Sequence, residues 1–220
     1  MSEYPANVTS SGTAFIKNTQ QSISANGNQL NPLNNREVDF LELLKQSQNN
    51  YYEQSGKNVL FKKAQKMDCA VAISNSCDIE TLLNHSIYII PNTNKVFMDY
   101  AIFKMYANPQ NYLYVVNKIL YLFNKCINDY GVYDVHINLA SLTMSGCERH
   151  KSIFSLIMTE SLNGATEYAT ILNKFHIYNP PSVMDTVFRL ARPFMNPIIM
   201  QKVVLYTKMD SEQHMKNLFS

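Results

Sequence analysis

Five histidines and four cysteines are the side chains of this 220-residue chain with the chemistry to hold a metal or attack a carbonyl. Cys147 and His150 have ligand spacing, but no second pair of the same kind lies nearby, and a structural zinc site takes four ligands. Cys69 and Cys77 are too far apart for a CxxC pair and suit small core positions. A nucleophilic Cys147 needs a partner that activates its thiol, and the sequence places none beside it; a GxSxG elbow is absent as well. Glu160 and Glu167 stand too far apart along the chain to work as an acid and base pair. His136 and His176 fall on predicted strands, where a hydrogen-bonded histidine beneath a helix is the simpler reading. With six glycines, the chain carries neither a GxGxxG turn nor a P-loop. The expectation is a protein without catalytic residues, metal or cofactor.

Composition narrows the field further. Nineteen basic and seventeen acidic residues leave a net charge of +2, too little field to hold nucleic acid through its phosphates. Hydrophobic residues reach 46%, enough for a sizeable core. The apolar runs are far short of the roughly 20 residues needed to cross a bilayer. The opening Met1-Ser2-Glu3-Tyr4 has no basic or apolar leader character, and four cysteines suit free thiols, so a soluble cytoplasmic protein is expected. The abundance of Asn, with 14 Tyr, 11 Met and no Trp, follows the drift of an AT-rich genome.

The elements that must position these residues divide the chain in three. Residues 1–35, rich in Ser, Asn, Gln and Thr, read as an extended polar arm with too few apolar anchors to offset its ordering entropy. Residues 36–77 read as a short lobe of two helices. The first is predicted from Arg36 to Tyr52 and broken by Gly56. The second carries Lys62, Lys63 and Lys66, a solvated face or a surface for an anionic membrane. Residues 78–220 read as an α/β domain. A hairpin is predicted over 87–99 around the turn Pro91-Asn92-Thr93-Asn94, then a long helix over 109–130 stopped by Gly131. A strand over 132–139 has Val135, Ile137 and Leu139 on one face and Asp134, His136 and Asn138 on the other. A helix from 145 to 162 and a short one over 166–173 lead to a strand over 174–179. A helix capped by Ser182, a strand over 202–207 and a helix over 210–219 complete a mixed sheet with crossover helices.

The stretch from Tyr168 to Thr207 resembles the Sec14-like (CRAL-TRIO) lipid-binding domain. The residues that carry the resemblance are the strand end Asn179-Pro180-Pro181, the corner Arg192-Pro193-Phe194-Met195, Asn196-Pro197 in the place of an Asp-Pro, and Lys202 at a strand entrance. Upstream, residues 135–145 resemble the family's central strand and the polar turn after it. The resemblance implies a sheet floor under a movable gate helix over 182–192, hinged at Pro193–Pro197, with an apolar ligand between the two. Whether that space is open or filled is not fixed by sequence. Thr170 and Ile171 stand where phosphoinositide-binding members place a Glu-Arg pair, so a phosphoinositide headgroup is not expected.

The resemblance names Thr143, Ser145, His176, Tyr178, Val183, Val187, Phe188, Phe194 and Lys202 as candidate ligand-binding residues. The function expected is non-catalytic lipid binding or transfer, with brief membrane contact through Phe188 and Phe194. The alternative is a structural scaffold subunit of a large assembly, such as a virion or an organellar or cytoskeletal complex, whose arm over residues 1–35 threads along neighbouring chains.

Overall fold

The structure, a computed structural model, describes residues 32–163, 167–194 and 196–220. Most of the polar arm expected over residues 1–35 lies outside the described residues. Helix α1 spans Pro32–Ser55, four residues earlier than Arg36, because a proline's fixed φ suits a first helical turn. It stops at Gly56, whose φ of 66° lies in the left-handed region. Helix α2, Lys62–Ser76, returns to bury Cys69, Ala70 and Ile73.

Helix α3, Ile79–Ser86, has no counterpart in the sequence reading. Asp78 caps it, accepting from the Thr81 amide at 2.8 Å and the Thr81 hydroxyl at 2.9 Å. The hairpin follows as β1, Ile87–Ile89, and β2, Lys95–Asp99. Asp99 closes the strand and opens α4, Tyr100–Tyr106, by accepting from the Ala101 and Ile102 amides. Helix α5, Tyr112–Tyr130, ends at Gly131 as expected, with φ of 73°. Strand β3 is Tyr133–Asn138.

The single helix expected over 145–162 is two, α6 (Met144–Arg149) and α7 (Lys151–Asn163). They divide at His150, whose imidazole turns into the core and meets the Tyr112 hydroxyl at 2.7 Å through Nδ1. Thr143 caps α6, in place of a start at Ser145 or Gly146. A short α8, Tyr168–Ile171, runs directly into β4, Leu172–Tyr178. Helix α9, Met184–Ala191, is followed by a 3-10 turn, Arg192–Phe194, then α10, Pro197–Gln201, and β5, Val203–Leu205. Helix α11, Lys208–Leu218, completes the chain's elements.

The five strands lie in sequence order, β1 antiparallel to β2 and the rest parallel. This is the mixed α/β sheet with crossover helices that the sequence implied. Each parallel crossover steps one strand in the same direction, and right-handed connections then place the crossover helices on a single face. That face holds the main core: Val96, Met98, Val135, Ile137, Phe175, Ile177 and Val203 join Phe103, Val115, Val116 and Ile119. The opposite face carries Phe97, His136, His176 and Tyr178, and α11 lies over it with Met215, Leu218 and Phe219.

Candidate functional site

Helix α9 repeats its apolar residues at helical spacing, Met184, Val187 and Phe188, and turns Asp185 and Arg189 outward. Met184 is 7% exposed and Val187 8%, and with the half-buried Phe188 they belong to the same core as Phe175 and Ile177 of β4. The gate helix therefore turns its apolar side into the main core. Its entry is a turn and not the Ser182 cap that the sequence suggested: the Met184 amide donates to the Pro181 carbonyl at 3.0 Å, and Val183 takes the cap position without a side-chain bond. The neighbouring Pro181 leaves no amide donor, so the turn closes through the next free N–H groups. At the other end, Pro193 sits in the 3-10 turn, and Asn196 accepts from the Ile198 amide at 2.9 Å to start α10.

The remaining candidates are distributed over three places. Thr143 and Ser145 are exposed at the carboxyl end of β3, where the Thr143 hydroxyl accepts the Gly146 amide at 3.2 Å. Lys202 at the entrance to β5 donates to the carbonyls of Ala169 at 3.0 Å, Thr170 at 2.8 Å and Leu172. An ammonium has three donors, and here all three close off the end of α8. His176 and Tyr178 lie on the sheet face away from α9. Val183 is 38% exposed beside the gate's entrance. The side chain of Phe194 lies outside the described residues. Thus α9 brings Val187 and Phe188 together with Met184, a residue the sequence reading did not single out, while His176 and Tyr178 belong to a separate layer.

That layer is built by strand register. His136 pairs with His176, and their rings stack at 4.3 Å and 9°. The His136 Nδ1 meets the Tyr178 hydroxyl at 2.9 Å, and the His176 Nδ1 meets that of Tyr206 at the same distance. Tyr178 and Tyr206 stack at 4.8 Å, and His214 of α11 closes on Tyr206 at 4.3 Å. Burial, then the neighbouring His176 and Lys95, push the His136 imidazole down to about 3. Burial also lowers His176 and raises the Tyr178 phenol. These rings are neutral near pH 7 and hold their layer by stacking and hydrogen bonds. Below them, Asn138 donates to Asp99 at 3.2 Å and accepts from Asn179 at 2.9 Å, so the end of β3's polar side is buried and hydrogen-bonded at Asn138.

The thiols sit apart from any such cluster. Cys69, Cys126 and Cys147 are buried, and burial raises Cys69 and Cys126 to about 11, the wrong direction for a nucleophile. His150 lies among Tyr100, Phe103 and Tyr112, and burial lowers it to about 4. Among the described residues, no three His, Cys, Asp or Glu side chains converge as a metal site, and no helix is long and apolar enough to cross a membrane.

Residues 135–220 match the family model of the CRAL/TRIO domain. No curated protein matches the chain. The matched span runs from β3 through α11 and so contains the gate helix, its proline-bounded ends and Lys202. Domains of this kind bind lipophilic ligands in general. The match falls on the stretch that holds the parallel strands β3 to β5 and the apolar-faced helix α9, so residues 135–220 are similar to the CRAL/TRIO, Sec14-like domain in sequence and in mixed α/β fold.

Proposed function

We propose that this protein carries a lipophilic ligand without chemical conversion, holding its apolar body between α9 and the helix-bearing face of the sheet. The observation that supports this most is the packing of Met184, Val187 and Phe188 into the core from a helix bounded by Pro181 and Pro193. Element ends absorb the dihedral change when a lid moves, and a proline at each side confines that change to the corners. Lifting α9 exposes two buried side chains at about 1.5–3 kcal/mol each, and each ligand methylene buried in their place returns about 0.8 kcal/mol. A chain of roughly eight methylenes is then enough to hold the gate open over itself.

The polar end of the ligand gains little from the chain. Lys202 is engaged by three carbonyls and Thr143 by a helix cap, so selection rests on the apolar body and a neutral lipid fits better than a phosphoinositide. Native mass spectrometry of the purified protein, followed by lipid extraction, tests the proposal. A stoichiometric neutral lipid is expected, and Val187→Trp or Phe188→Asp should abolish it while the circular dichroism spectrum is retained. A protein that comes away empty and fails to take up a fluorescent neutral lipid from vesicles refutes the carrier role.

A further inference from the structure

The loop between α1 and α2 presents Val59, Leu60 and Phe61 to solvent at 74%, 87% and 66% exposure. Consecutive large apolar side chains left this open are uncommon on a surface that has no use for them. The loop is nonetheless fastened. Asn58 Oδ1 accepts the Leu60 and Phe61 amides at 3.0 and 2.9 Å. Gln65 reaches back from α2, accepting the Asn58 amide at 2.8 Å and donating to the Gly56 carbonyl. The apolar tip is thus held outward by its own side-chain bonds.

Lysines surround it. Lys57, Lys62, Lys63 and Lys66 are all exposed, and no acidic residue occurs from Gln54 to Met67. Among the described residues none of the four lysines is ion-paired. Lys62 and Lys66 fall on the same helical stripe as Cys69 and Ile73, yet the first pair is exposed and the second buried. The first two turns of α2 therefore overhang the core and carry the loop away from the body.

We infer that this loop is a docking tip for an anionic bilayer surface, with Val59, Leu60 and Phe61 entering the interface and the four lysines facing anionic headgroups. Three apolar side chains ringed by cations suit a surface that is negative at its rim and apolar beneath, and suit no other part of this chain's chemistry as well. The tip lies outside residues 135–220, so docking and ligand holding can fail separately.

The chain has no tryptophan, so Phe61→Trp places a lone reporter at the tip of the full-length protein. Its emission is expected to shift to the blue with phosphatidylcholine vesicles containing phosphatidylserine, and to return on raising the salt. Lys62→Gln with Lys63→Gln in the same reporter should weaken this partition about thirty-fold. Tyr121→Trp, an equally exposed position on α5, should not shift. The inference is overturned if the tip reporter stays unshifted, if neutral vesicles shift it equally, or if Leu60→Asp converts a dimer to a monomer, which would make the tip a contact between copies of this chain.

Discussion

His136 is 3% exposed, and its Nε2 has no hydrogen-bond partner among the described residues. Protonation would place a cation against the His176 ring at 4.3 Å, near Lys95, with no acceptor waiting for the new N–H. Its folded value of about 3 lies below the 6.5 of a free imidazole, so the unfolded chain takes up the proton first. The contribution is complete above pH 6.5 and is lost as pH falls, by about 1.4 kcal/mol per unit, until about pH 3. Between pH 6.5 and 4.5 His136 alone should cost roughly 2 to 3 kcal/mol, a large part of the 5–15 kcal/mol typical of a folded domain. His150, lowered to about 4 by burial, titrates with the same sign.

Urea unfolding followed by circular dichroism at half-unit steps from pH 7.5 to 4.5 measures this directly. Wild type should lose stability as pH falls, with His136, His150 and His176 contributing in the same sense. His136→Asn, which keeps a polar group facing Tyr178 but cannot titrate, should lower stability at pH 7.5 and reduce the acid slope by about one proton. A variant with an unchanged slope would refute the assignment of the acid sensitivity to this ring. A slope abolished by His150→Asn alone would refute it equally.

Lys202→Met leaves three carbonyls at the end of α8 without their donor, and should cost about 1–3 kcal/mol, with Lys202→Arg restoring part of it in the same urea titration. Gly146→Ala drives a new Cβ into the Tyr100 hydroxyl; a loss of about 1–3 kcal/mol is expected, and Tyr100→Phe in the same chain should recover much of it. Because the histidine layer lies under α11 and not under α9, hydrogen exchange at pH 5 should rise first in the amides of residues 208–218, ahead of those of 184–191; simultaneous opening would contradict this separation.

What could be read from sequence was local. Gly131 stops α5 through its own left-handed φ, and Asn92 at φ of 59° turns the hairpin, so both are set by one or two residues. The gate's Val187 and Phe188 are legible as one apolar side within a single helix, while the buried Met184 is passed over for Val183, which is exposed. Burial of the polar side of β3 is different in kind: Asp134, His136 and Asn138 alternate as a solvated face does, and only the arrival of Tyr178, Tyr206 and α11 makes them interior. Helix α11 is mostly polar, and the single i, i+3, i+4 set of Met215, Leu218 and Phe219 at its end is too short a stripe to announce the second cluster they close. The division of α6 from α7 at His150 has no Gly or Pro to announce it; it coincides with a tertiary hydrogen bond between His150 and Tyr112. At Asp78 a signal was present, a capping carboxylate before Glu80 in the first turn of α3, and the shortness of the helix hid it.

The position of Lys202 bears on recognition more than its identity does. A lysine at a strand entrance invites assignment to an anionic headgroup, and its side chain is long enough to reach one. Here the same length carries the ammonium back to α8, where three carbonyls at a helix end supply the negative dipole that a headgroup would otherwise offer. Releasing it to a ligand would uncover those carbonyls, so an anion gains only the difference between two charge-assisted sets of bonds. Among the described residues, four exposed lysines without an ion pair, Lys57, Lys62, Lys63 and Lys66, cluster instead at the tip of the helical hairpin. On the proposed function, an anionic surface would then meet the exposed lysines of that tip, and the apolar packing under α9 would choose the cargo.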